Sequence, residues 1–445
     1  MNTQQPKDTA TRRDFLRTTG ALGAGLYLSG AGGARRATAQ TSAVEALAMN
    51  GGPKAVTHAA GTSTKWPLYG AEEIERITAL IQDPNYGPIE IFENAWKEFH
   101  GCAYAKAHCN GTSALTSMLF ALELPPGSEV LVPDFSTWFP VVPMRFFDLA
   151  PVFVDSNPRS MNIDLEDCKR KLTDKTRAIM PVHWFGVPCD MDDICAFADE
   201  HGLVVVEDAS HAHGARVKDT LIGNWGRMAG FSFQATKPLP AIEGGICMYK
   251  EQGDYERATT YGHYLLPNTF PEDSPYRKYQ GTAFGSKLRM HPVSAILADV
   301  QLRDLNERNQ QGTAQMQRLN DRITQLPGLS EQYARPDMQR VYYNNNLMLI
   351  DEAECGFSRE AAVAALRAEG VDVSAFTWTL LHTYPIFSET RWWRHMPVLP
   401  DAVPGCDEIN QKAIRLPYWT SDQPELVEQY AAAFEKVWAH GASLA

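Results

Sequence analysis

Residues 203–248 read LVVVEDASHAHGARVKDTLIGNWGRMAGFSFQATKPLPAIEGGICM, and this stretch holds two short apolar runs that each lead into polar residues. The first run, 203–206, is rich in β-branched residues and has the length of a strand that is buried on both faces. It leads into Asp208, whereas the second run, 229–233, is followed by Lys237. Parallel strands would bring this acid and this lysine to the same edge of a sheet.

Asp208 and Lys237 stand 29 residues apart (237 − 208) and are the pair that a pyridoxal 5′-phosphate (PLP) site requires. The lysine bonds covalently to the aldehyde of the cofactor, and the acid keeps the pyridine nitrogen protonated so that the ring can withdraw electrons. A strand-terminal acid and a loop lysine are each common in proteins without a cofactor. Their combination in this stretch predicts Asp208 and Lys237 as catalytic residues.

A second motif, Asn110-Gly-Thr-Ser113, lies between a short strand and an apolar helix that is predicted to begin at Thr112. The amino end of such a helix presents unpaired N–H groups and a positive dipole, which together bind phosphate well. The same pattern also occurs as an ordinary helix cap. If this helix start binds a phosphate, Gly111, Thr112 and Ser113 are the residues that would contact it, and both interpretations stay open on the motif alone.

Predicted strands and helices alternate from residue 105 to residue 249, which indicates a largely parallel sheet with right-handed crossovers. Ligands of such sheets bind at the carboxyl ends of the strands, where Trp138 and His183 are also expected. Two helices are predicted before the sheet, at 66–83 and 89–100, with apolar residues at helical spacing. These residues are Ile74, Ile77, Leu80 and Ile81 in the first helix, and Ile91, Phe92, Trp96 and Phe99 on the inner side of the second.

Three further segments follow the predicted sheet. Residues 250–277 have no clear period and are interpreted as an irregular segment that faces the substrate, and a helix is predicted from 293 to about 325. A loop at 377–400 contains His382, Tyr384 and a pair of tryptophans, Trp392 and Trp393. These side chains either close over the substrate or fill the interface between domains, and both interpretations stay open.

The strings EDASHAHGA, FSFQATK and EGG resemble the DegT/DnrJ/EryC1/StrS family of PLP-dependent aminotransferases, which act on keto-sugars and keto-cyclitols. The resemblance extends from Trp66 to the C-terminus and implies an α/β protein of PLP-dependent transferase fold type I. That fold has a large domain with a mostly parallel seven-stranded sheet and a small C-terminal α+β domain. We therefore expect a large PLP-binding domain at 40–300, a small domain at 301–445, and a homodimer with shared active sites.

The resemblance also implies roles for further residues. Trp138 is expected to stack on the pyridine ring, and His211 is expected to lie near the 3′-oxygen of the ring. The family has Asn-Gly-Thr followed by Ala-Leu at the 110–115 motif, so Gly111, Thr112 and Ser113 are expected to contact the phosphate together with Ser232. Lys287 stands where the family commonly has Asn, in a segment that reaches across the dimer towards the cofactor phosphate of the neighbouring subunit. A lysine suits a phosphate there, although an ordinary solvated lysine is the alternative.

The reaction that the resemblance implies is the transfer of an amino group from an amino acid, with glutamate or glutamine expected, to a keto-sugar or keto-cyclitol. Some relatives carry His in place of the lysine and dehydrate sugars instead, and Lys237 argues against that reaction. A non-catalytic binding protein on the same scaffold is another alternative. The last alternative is a metal enzyme that would use the histidines His183, His211, His213 and His263 as ligands. Among them only His211 and His213 form a closely spaced pair, and this pair has no acidic residue at a spacing that would complete a metal site.

Charge and the N-terminus bear on location. The chain has 41 Lys and Arg against 53 Asp and Glu, for a net charge of −12, which argues against nucleic acids or anionic membranes as partners. Residues 1–39 resemble a twin-arginine signal peptide, with Arg12-Arg13, a weakly apolar run too short for a stable span, and the cleavage pattern Ala37-Thr-Ala39. We predict export of the folded enzyme to the periplasm, or a cytoplasmic enzyme if the signal interpretation is wrong.

Overall fold

The computed structural model describes residues 45–445, so the predicted signal peptide, residues 1–39, lies outside the described residues. Within them, no helix is both long and apolar enough to cross a membrane.

The strands are, in chain order, β1 Tyr104–His108, β2 Glu129–Pro133, β3 Ala150–Val154, β4 Thr176–Ile179, β5 Val204–Asp208, β6 Arg216–Val217, β7 Thr220–Leu221, β8 Met228–Ser232, β9 Gly245–Tyr249, β10 Leu329–Glu331, β11 Met338–Gln339, β12 Asn345–Ile350, β13 Ser374–Ala375 and β14 Ala413–Pro417. The α-helices are α1 Ala71–Gln82, α2 Gly87–His100, α3 Gly111–Ala121, α4 Leu165–Arg170, α5 Met191–His201, α6 Gln252–Gly262, α7 Pro292–Arg303, α8 Leu305–Ile323, α9 Glu352–Cys355, α10 Arg359–Ala368, α11 Pro385–Ser388, α12 Pro404–Lys412 and α13 Pro424–Ala439.

The largest sheet has seven strands in the order β1-β9-β8-β5-β4-β2-β3. Strands β3, β2, β4, β5 and β8 pair in parallel, and β9 runs antiparallel to both of its neighbours. Every residue of β2, β3, β8 and β9 is buried, because helices cover both faces of the sheet. The predicted mostly parallel seven-stranded sheet is confirmed.

A smaller antiparallel sheet, in the order β10-β12-β14-β13, forms near the C-terminal end of the chain. Its hydrophobic core also contains Leu47 and Val56, from the start of the described chain. The buried Glu369 carboxylate accepts the N–H groups of Ala48 and Ala55 at 2.7 and 3.0 Å. The first described residues therefore pack with the last third of the chain. The predicted division at residue 300 stays a prediction, because the described residues form one compact unit.

Two predicted helices and one segment predicted to be irregular differ from the structure. The first begins at Ala71 rather than at 66, because Gly70 precedes it as an extended N-cap whose N–H bonds Glu73 at 2.8 Å. The segment predicted to be irregular contains α6, whose helical period is hidden because its acidic residues Asp254 and Glu256 are buried against polar partners. The helix predicted from 293 is interrupted at Asp304, which ends α7 and begins α8.

Part of the predicted apolar face of the first two helices is exposed. Phe92 and Trp96 are fully buried, as expected, but Ile91 is 53% exposed, and Ile74 and Ile81 are 66% and 70% exposed. The expectation that Ile91 faces the core is therefore wrong for the single chain. Helical spacing shows which residues share a face, but it cannot show whether that face packs within the chain.

Buried histidines make the fold sensitive to acid. Burial, and to a smaller extent the charge of Arg216, lowers the pKa of His100 from 6.5 to about 3, because its ring packs against Trp96 and Phe231. A histidine whose pKa is lowered by folding is protonated only in the unfolded chain between those two values. Stability is therefore kept above pH 6.5 and falls as the pH drops below it.

We expect His100→Phe to remove part of this acid sensitivity. One histidine of this kind costs about 1.4 kcal/mol of unfolding free energy when the pH falls from 7.5 to 5.5. Urea unfolding at the two pH values should show a difference smaller by about that amount in His100→Phe than in the wild type. His201→Gln, at an exposed histidine of α5, is the control and should leave the difference unchanged. An unchanged difference in His100→Phe would contradict the assignment.

Candidate active site

Asp208 lies where predicted, as the last residue of β5 at the carboxyl edge of the large sheet. Its backbone is fixed by bonds to the neighbouring segment, with Asp208 N–H donating to Pro181 at 3.0 Å and its carbonyl accepting from His183 at 3.2 Å. The side chain is 3% exposed, and its Oδ1 accepts the N–H of Ser210 at 3.0 Å. The carboxyl group is therefore rigidly placed in a dry part of the sheet edge.

The electrostatic environment of Asp208 suits a cationic ligand. Burial raises the pKa of the Asp208 carboxyl, while hydrogen bonds from Ser210 and the charges of Lys237 and His183 act in the opposite direction. A buried carboxylate is costly unless a positive group or hydrogen bonds compensate it. The protonated pyridine nitrogen of PLP is such a group, so this residue fits the cofactor.

Lys237 lies in the loop between β8 and β9, which is held in place through its backbone. Lys237 N–H donates to Gln234 at 2.8 Å, and the indole N–H of Trp66 donates to the Lys237 carbonyl at 3.0 Å. On the other limb of the loop, the Tyr69 hydroxyl accepts the N–H of Ile242 at 3.1 Å. The backbone is thus fixed, and the lysine side chain remains partly exposed for reaction.

Tyr343 connects Lys237 with His211 and was not identified from the sequence. The Lys237 Nζ lies 4.5 Å from the centre of the Tyr343 ring, and the His211 ring stacks on the same tyrosine with centroids 4.2 Å apart. Tyr343 lies just before β12, more than 100 residues after Lys237 in the sequence (343 − 237 = 106), and no local motif marks it. Only the packing of the C-terminal part of the chain against the large sheet brings it to the site.

His211 is buried and neutral. Burial, followed by the nearby charge of Lys237, lowers the pKa of His211 well below 6.5. Its Nδ1 is buried and has no hydrogen-bond partner among residues 45–445. A buried polar atom without a partner is costly, so an oxygen of the cofactor ring would compensate it. The predicted position of His211 beside the 3′-oxygen is compatible with this geometry and stays a prediction.

The predicted phosphate-binding residues come together at the start of α3. Asn110 caps this helix by accepting the N–H of Ser113 at 2.8 Å, and first-turn amides such as those of Gly111 and Thr112 have no acceptor within a helix. A Cβ at Gly111 would lie 2.5 Å from the Cβ of Ser232, so only glycine lets the helix start approach the end of β8 this closely. The helix amides and the Ser232 hydroxyl form a cradle that fits a phosphate.

Trp138 follows β2 at the same edge of the sheet. It is 44% exposed and packs on Phe139 with ring centroids 4.2 Å apart. An exposed tryptophan at this edge offers a flat apolar surface to a ring. Its predicted stacking on the pyridine ring stays a prediction.

Lys287 is predicted to bind the cofactor phosphate, but it lines a cavity whose walls do not include Gly111, Thr112 or Ser232. It is exposed and lines this cavity, of about 660 Å³, together with Lys106, His263 and Arg289. The N–H of Cys109 donates to Leu288 at 2.7 Å, so the Lys287 segment runs beside the end of β1. The Lys287 segment is thus close to the chain that leads into α3, while the Lys287 side chain lines the other cavity.

The histidines considered as metal ligands have other surroundings. His183 Nε2 lies 3.2 Å from Glu207, and its Nδ1 accepts the N–H of Cys189 at 3.0 Å. His213 is buried among aromatic rings, and burial lowers its pKa well below 6.5. In the described part of the chain, no group of three or more His, Cys, Asp or Glu side chains is placed to hold a metal ion.

A large cavity of about 830 Å³ adjoins the lysine loop. Its walls include Trp66, Lys237 and Arg308, whereas Asp208 and His211 do not line it. The cavity therefore lies beside the predicted cofactor position and is not the cofactor position itself. The geometry around Asp208, rather than cavity size, locates the chemistry.

Comparisons with known proteins identify relatives of the whole chain. A family model described as the DegT/DnrJ/EryC1/StrS aminotransferase family matches residues 68–435. The spore coat polysaccharide biosynthesis protein SpsC of Bacillus subtilis (strain 168) is 26% identical over 378 residues, which cover 83% of this chain and 95% of that protein. The solved aminotransferase from Psychrobacter cryohalolentis has a TM-score of 0.75 and 24% identity, and the match covers 85% of this chain and 99% of that one. The GDP-4-keto-6-deoxy-D-mannose-3-dehydratase of E. coli, solved with bound hydrated PLP, has a TM-score of 0.70 and 18% identity, with 83% and 99% covered.

The chain belongs to the DegT/DnrJ/EryC1/StrS aminotransferase family, because the family model spans most of its length. The solved structures show that its fold is that of the PLP-dependent enzymes of fold type I. It is therefore a PLP-dependent enzyme of the aminotransferase type. The residues gathered around Asp208 and Lys237 are its candidate active site.

Proposed function

We propose that the enzyme transfers an amino group from glutamate or glutamine to a keto-sugar or keto-cyclitol. The observation that carries this proposal is the placement of Lys237 beside the buried Asp208 at the carboxyl edge of the large sheet. An aminotransferase needs a lysine that both holds the cofactor and moves protons, and a carboxylate that charges the ring. SpsC, a spore coat polysaccharide biosynthesis protein, supports a sugar as the acceptor.

When bound, PLP supplies a conjugated ring that withdraws electrons from the carbon that carries the amino group. Asp208 would hold the proton on the pyridine nitrogen, and the amides of Gly111 and Thr112 together with the Ser232 hydroxyl would hold the phosphate. Lys237 Nζ would hold the cofactor at rest. As a free amine, Lys237 Nζ would be the base that removes a proton from the carbon bearing the donor amino group, and its protonated form would be the acid that returns a proton.

The alternative reaction is dehydration of a sugar on the same scaffold. The E. coli neighbour is a dehydratase, so the fold alone does not separate the two reactions. Lys237 favours transamination, because a basic amine is required to return the proton to the carbon that becomes the amine. A non-catalytic role is disfavoured, because the chain keeps Asp208, Lys237 and the predicted phosphate-binding residues.

The acceptor can be identified by separating the two halves of the reaction. The enzyme is first converted to its amino form with L-glutamate or L-glutamine, and the donor product is measured. The amino form is then offered three ketones: scyllo-inosose, 3-keto-glucose and a nucleotide-linked 4-keto-6-deoxy sugar. Return of the starting spectrum together with an aminated product identifies the acceptor class. Release of water from the sugar without amination would instead support the dehydratase.

We also propose that the enzyme is a homodimer in which Lys287 contacts the cofactor phosphate of the neighbouring subunit. Two observations support this proposal. Lys287 is exposed and lines a cavity whose walls do not include the residues of its own phosphate cradle. Ile74, Ile81 and Ile91 leave apolar surface on α1 and α2 uncovered. Sedimentation at several protein concentrations tests the dimer.

Lys287→Ala is expected to weaken PLP binding by about tenfold to a hundredfold, the usual cost of losing one charge-assisted contact. The exposed Lys175→Ala is the control and should bind PLP like the wild type. Mixing Lys287→Ala with Lys237→Ala chains would create hybrid dimers with one complete site. Cofactor retention should then partly return, and no recovery in hybrids confirmed by mass would exclude action across the dimer.

For location we propose the periplasm, on the basis of the Arg12-Arg13 motif and the short apolar run that follows it. Nucleotide-sugars are not expected there, so this location favours a free cyclitol or a glycan-linked sugar as acceptor. Fractionation of cells that express the full chain tests the proposal. Recovery of the uncleaved enzyme in the cytoplasm would restore a nucleotide-sugar as the favoured acceptor.

A further inference from the structure

Asp134 is a buried carboxyl group at the active-site edge that the proposed chemistry does not use. It directly follows β2 and is fully buried, and its N–H donates to Val154 at 2.8 Å. Only β4 separates β2 from β5, so Asp134 and Asp208 end strands that are two places apart in the sheet. At the usual strand spacing this places them on the order of 10 Å apart.

His382 binds both oxygens of this carboxyl group. Its backbone N–H donates to Asp134 Oδ1 at 2.8 Å, and its ring Nδ1 lies 2.5 Å from Oδ2. The neighbouring N–H of Leu381 also donates to the Asp134 carbonyl, at 3.1 Å. Burial raises the pKa of the Asp134 carboxyl, and the contacts with His382 act against that rise. The loop that contains His382 is therefore fixed over the end of β2.

This contact selects the tautomer of the neutral imidazole ring. A carboxylate only accepts hydrogen bonds, so Nδ1 carries the proton in the neutral ring and Nε2 is left as an acceptor. Nε2 has no hydrogen bond within residues 45–445, and 25% of the His382 side chain is exposed. An imidazole oriented by a buried carboxylate, with its second nitrogen free, is the arrangement by which enzymes aim a histidine at a ligand.

A continuous aromatic wall joins this pair to the predicted cofactor position. The His211 ring packs on Trp184 at 5.2 Å, and Trp184 packs on Trp378 at 5.1 Å. The indole N–H of Trp378 donates to Ser136 at 2.7 Å, two residues beyond Asp134. The Ser136 hydroxyl is itself buried without a hydrogen-bond partner in the described chain. Polar atoms without partners thus lie at both ends of this wall.

The loop at 377–400 contains both buried side chains that anchor it and side chains that stay exposed. Leu381, Phe387 and Trp393 are buried in the core of the large sheet, whereas Tyr384 and Trp392 remain substantially exposed. The sequence left open whether this loop fills an interface or faces the substrate. The structure divides it, because Trp393 fills the core while His382 keeps a free nitrogen at the sheet edge.

We propose that His382, positioned by Asp134, is a substrate-binding residue whose Nε2 accepts a hydrogen bond from a hydroxyl group of the sugar or cyclitol acceptor. This inference rests on the proposed function, since it requires a polyhydroxy ketone as acceptor. The amino donor does not need this contact, because glutamate and glutamine carry no hydroxyl group. His382 should therefore act on one half of the reaction and not on the other.

Two substitutions separate a role of His382 in substrate binding from a purely structural role in holding the loop against Asp134. In His382→Asn the amide nitrogen lies near the position of Nδ1, so the contact with Asp134 is kept and Nε2 is lost. In His382→Gln the amide nitrogen lies near the position of Nε2, so the side-chain contact with Asp134 is lost and only the backbone N–H of residue 382 still donates to Asp134. The measurements are KM and kcat for the acceptor half-reaction, using the panel ketone that the wild type aminates fastest. KM for L-glutamate, the PLP released by alkali and the unfolding midpoint are measured on the same samples.

His382→Asn is expected to raise the KM of the acceptor about tenfold, the usual size of one lost hydrogen bond, with unchanged PLP content, donor KM and unfolding midpoint. A wild-type acceptor KM in His382→Asn, with a lowered unfolding midpoint in His382→Gln, would overturn the proposal and leave His382 as a structural fastener. If the wild type aminates none of the ketones, the proposed function fails and this inference fails with it.

Discussion

Lys237→Ala is expected to abolish transamination and to remove every covalent link between the enzyme and its cofactor. Lys237 is the only lysine that the structure places beside Asp208 within the described chain, and its loop is held by Trp66 and Tyr69. The variant loses both the attachment point and the group that moves the proton, and proton transfer alone is worth about 10²–10⁴-fold in rate. We expect a fall of at least about 10⁴-fold in kcat.

The measurement combines single-turnover kinetics with borohydride reduction and peptide mass analysis. Reduction of the wild type should place the cofactor on the peptide that contains Lys237, and the variant should carry no adduct. Lys250→Ala is the matched control, because Lys250 is exposed and its Nζ bonds only the Trp225 carbonyl, at 2.8 Å. A reducible adduct that persists in Lys237→Ala would show that another amine holds the cofactor.

The parts of the site that follow local rules could be predicted from the sequence. Asp208 was predicted as a strand-terminal acid, and the start of α3 as a phosphate cradle, because strand ends and helix starts are encoded within a few residues. Gly111 illustrates the limit of this reasoning. Its motif predicts a helix start, but only the fold shows that the glycine is required by the close approach to Ser232.

The parts that depend on long-range packing could not be predicted. Tyr343 stacks on His211 across 132 positions (343 − 211), and His382 bonds Asp134 across 248 positions. Neither pair has a spacing that a motif records. The burial of Ile74 and Ile81 could not be judged from the sequence for a related reason, since both are exposed in the chain. Apolar residues at helical spacing predict that one face of a helix is covered, but they do not show whether the covering surface belongs to the same chain.

Asp208→Asn is expected to lower kcat by about 10²–10⁴-fold while PLP stays bound. An amide cannot keep the pyridine nitrogen protonated, so the ring withdraws electrons poorly and Lys237 removes a proton from a much less acidic carbon. The cradle at Gly111, Thr112 and Ser232 does not involve Asp208, so cofactor content should change little. Exposed Asp199→Asn on α5 is the matched control for the charge change.

The same substitution should act in the opposite direction on the stability of the cofactor-free chain. Burial raises the folded-state pKa of Asp208, so the folded chain favours the protonated carboxyl. Below pH 4 the protonated Asp208 carboxyl adds nothing unfavourable to the folded chain. As the pH rises from about 4 through the raised folded-state pKa, the free energy of unfolding falls, because the unfolded chain loses this proton more readily than the folded chain does. At pH 7 the uncharged Asn avoids this cost, so urea unfolding of the cofactor-free variant should need at least as much denaturant as the wild type. A slow enzyme that is equally or more stable would show that Asp208 is kept for the charge it presents to the cofactor, whereas a destabilised variant would assign it a structural role.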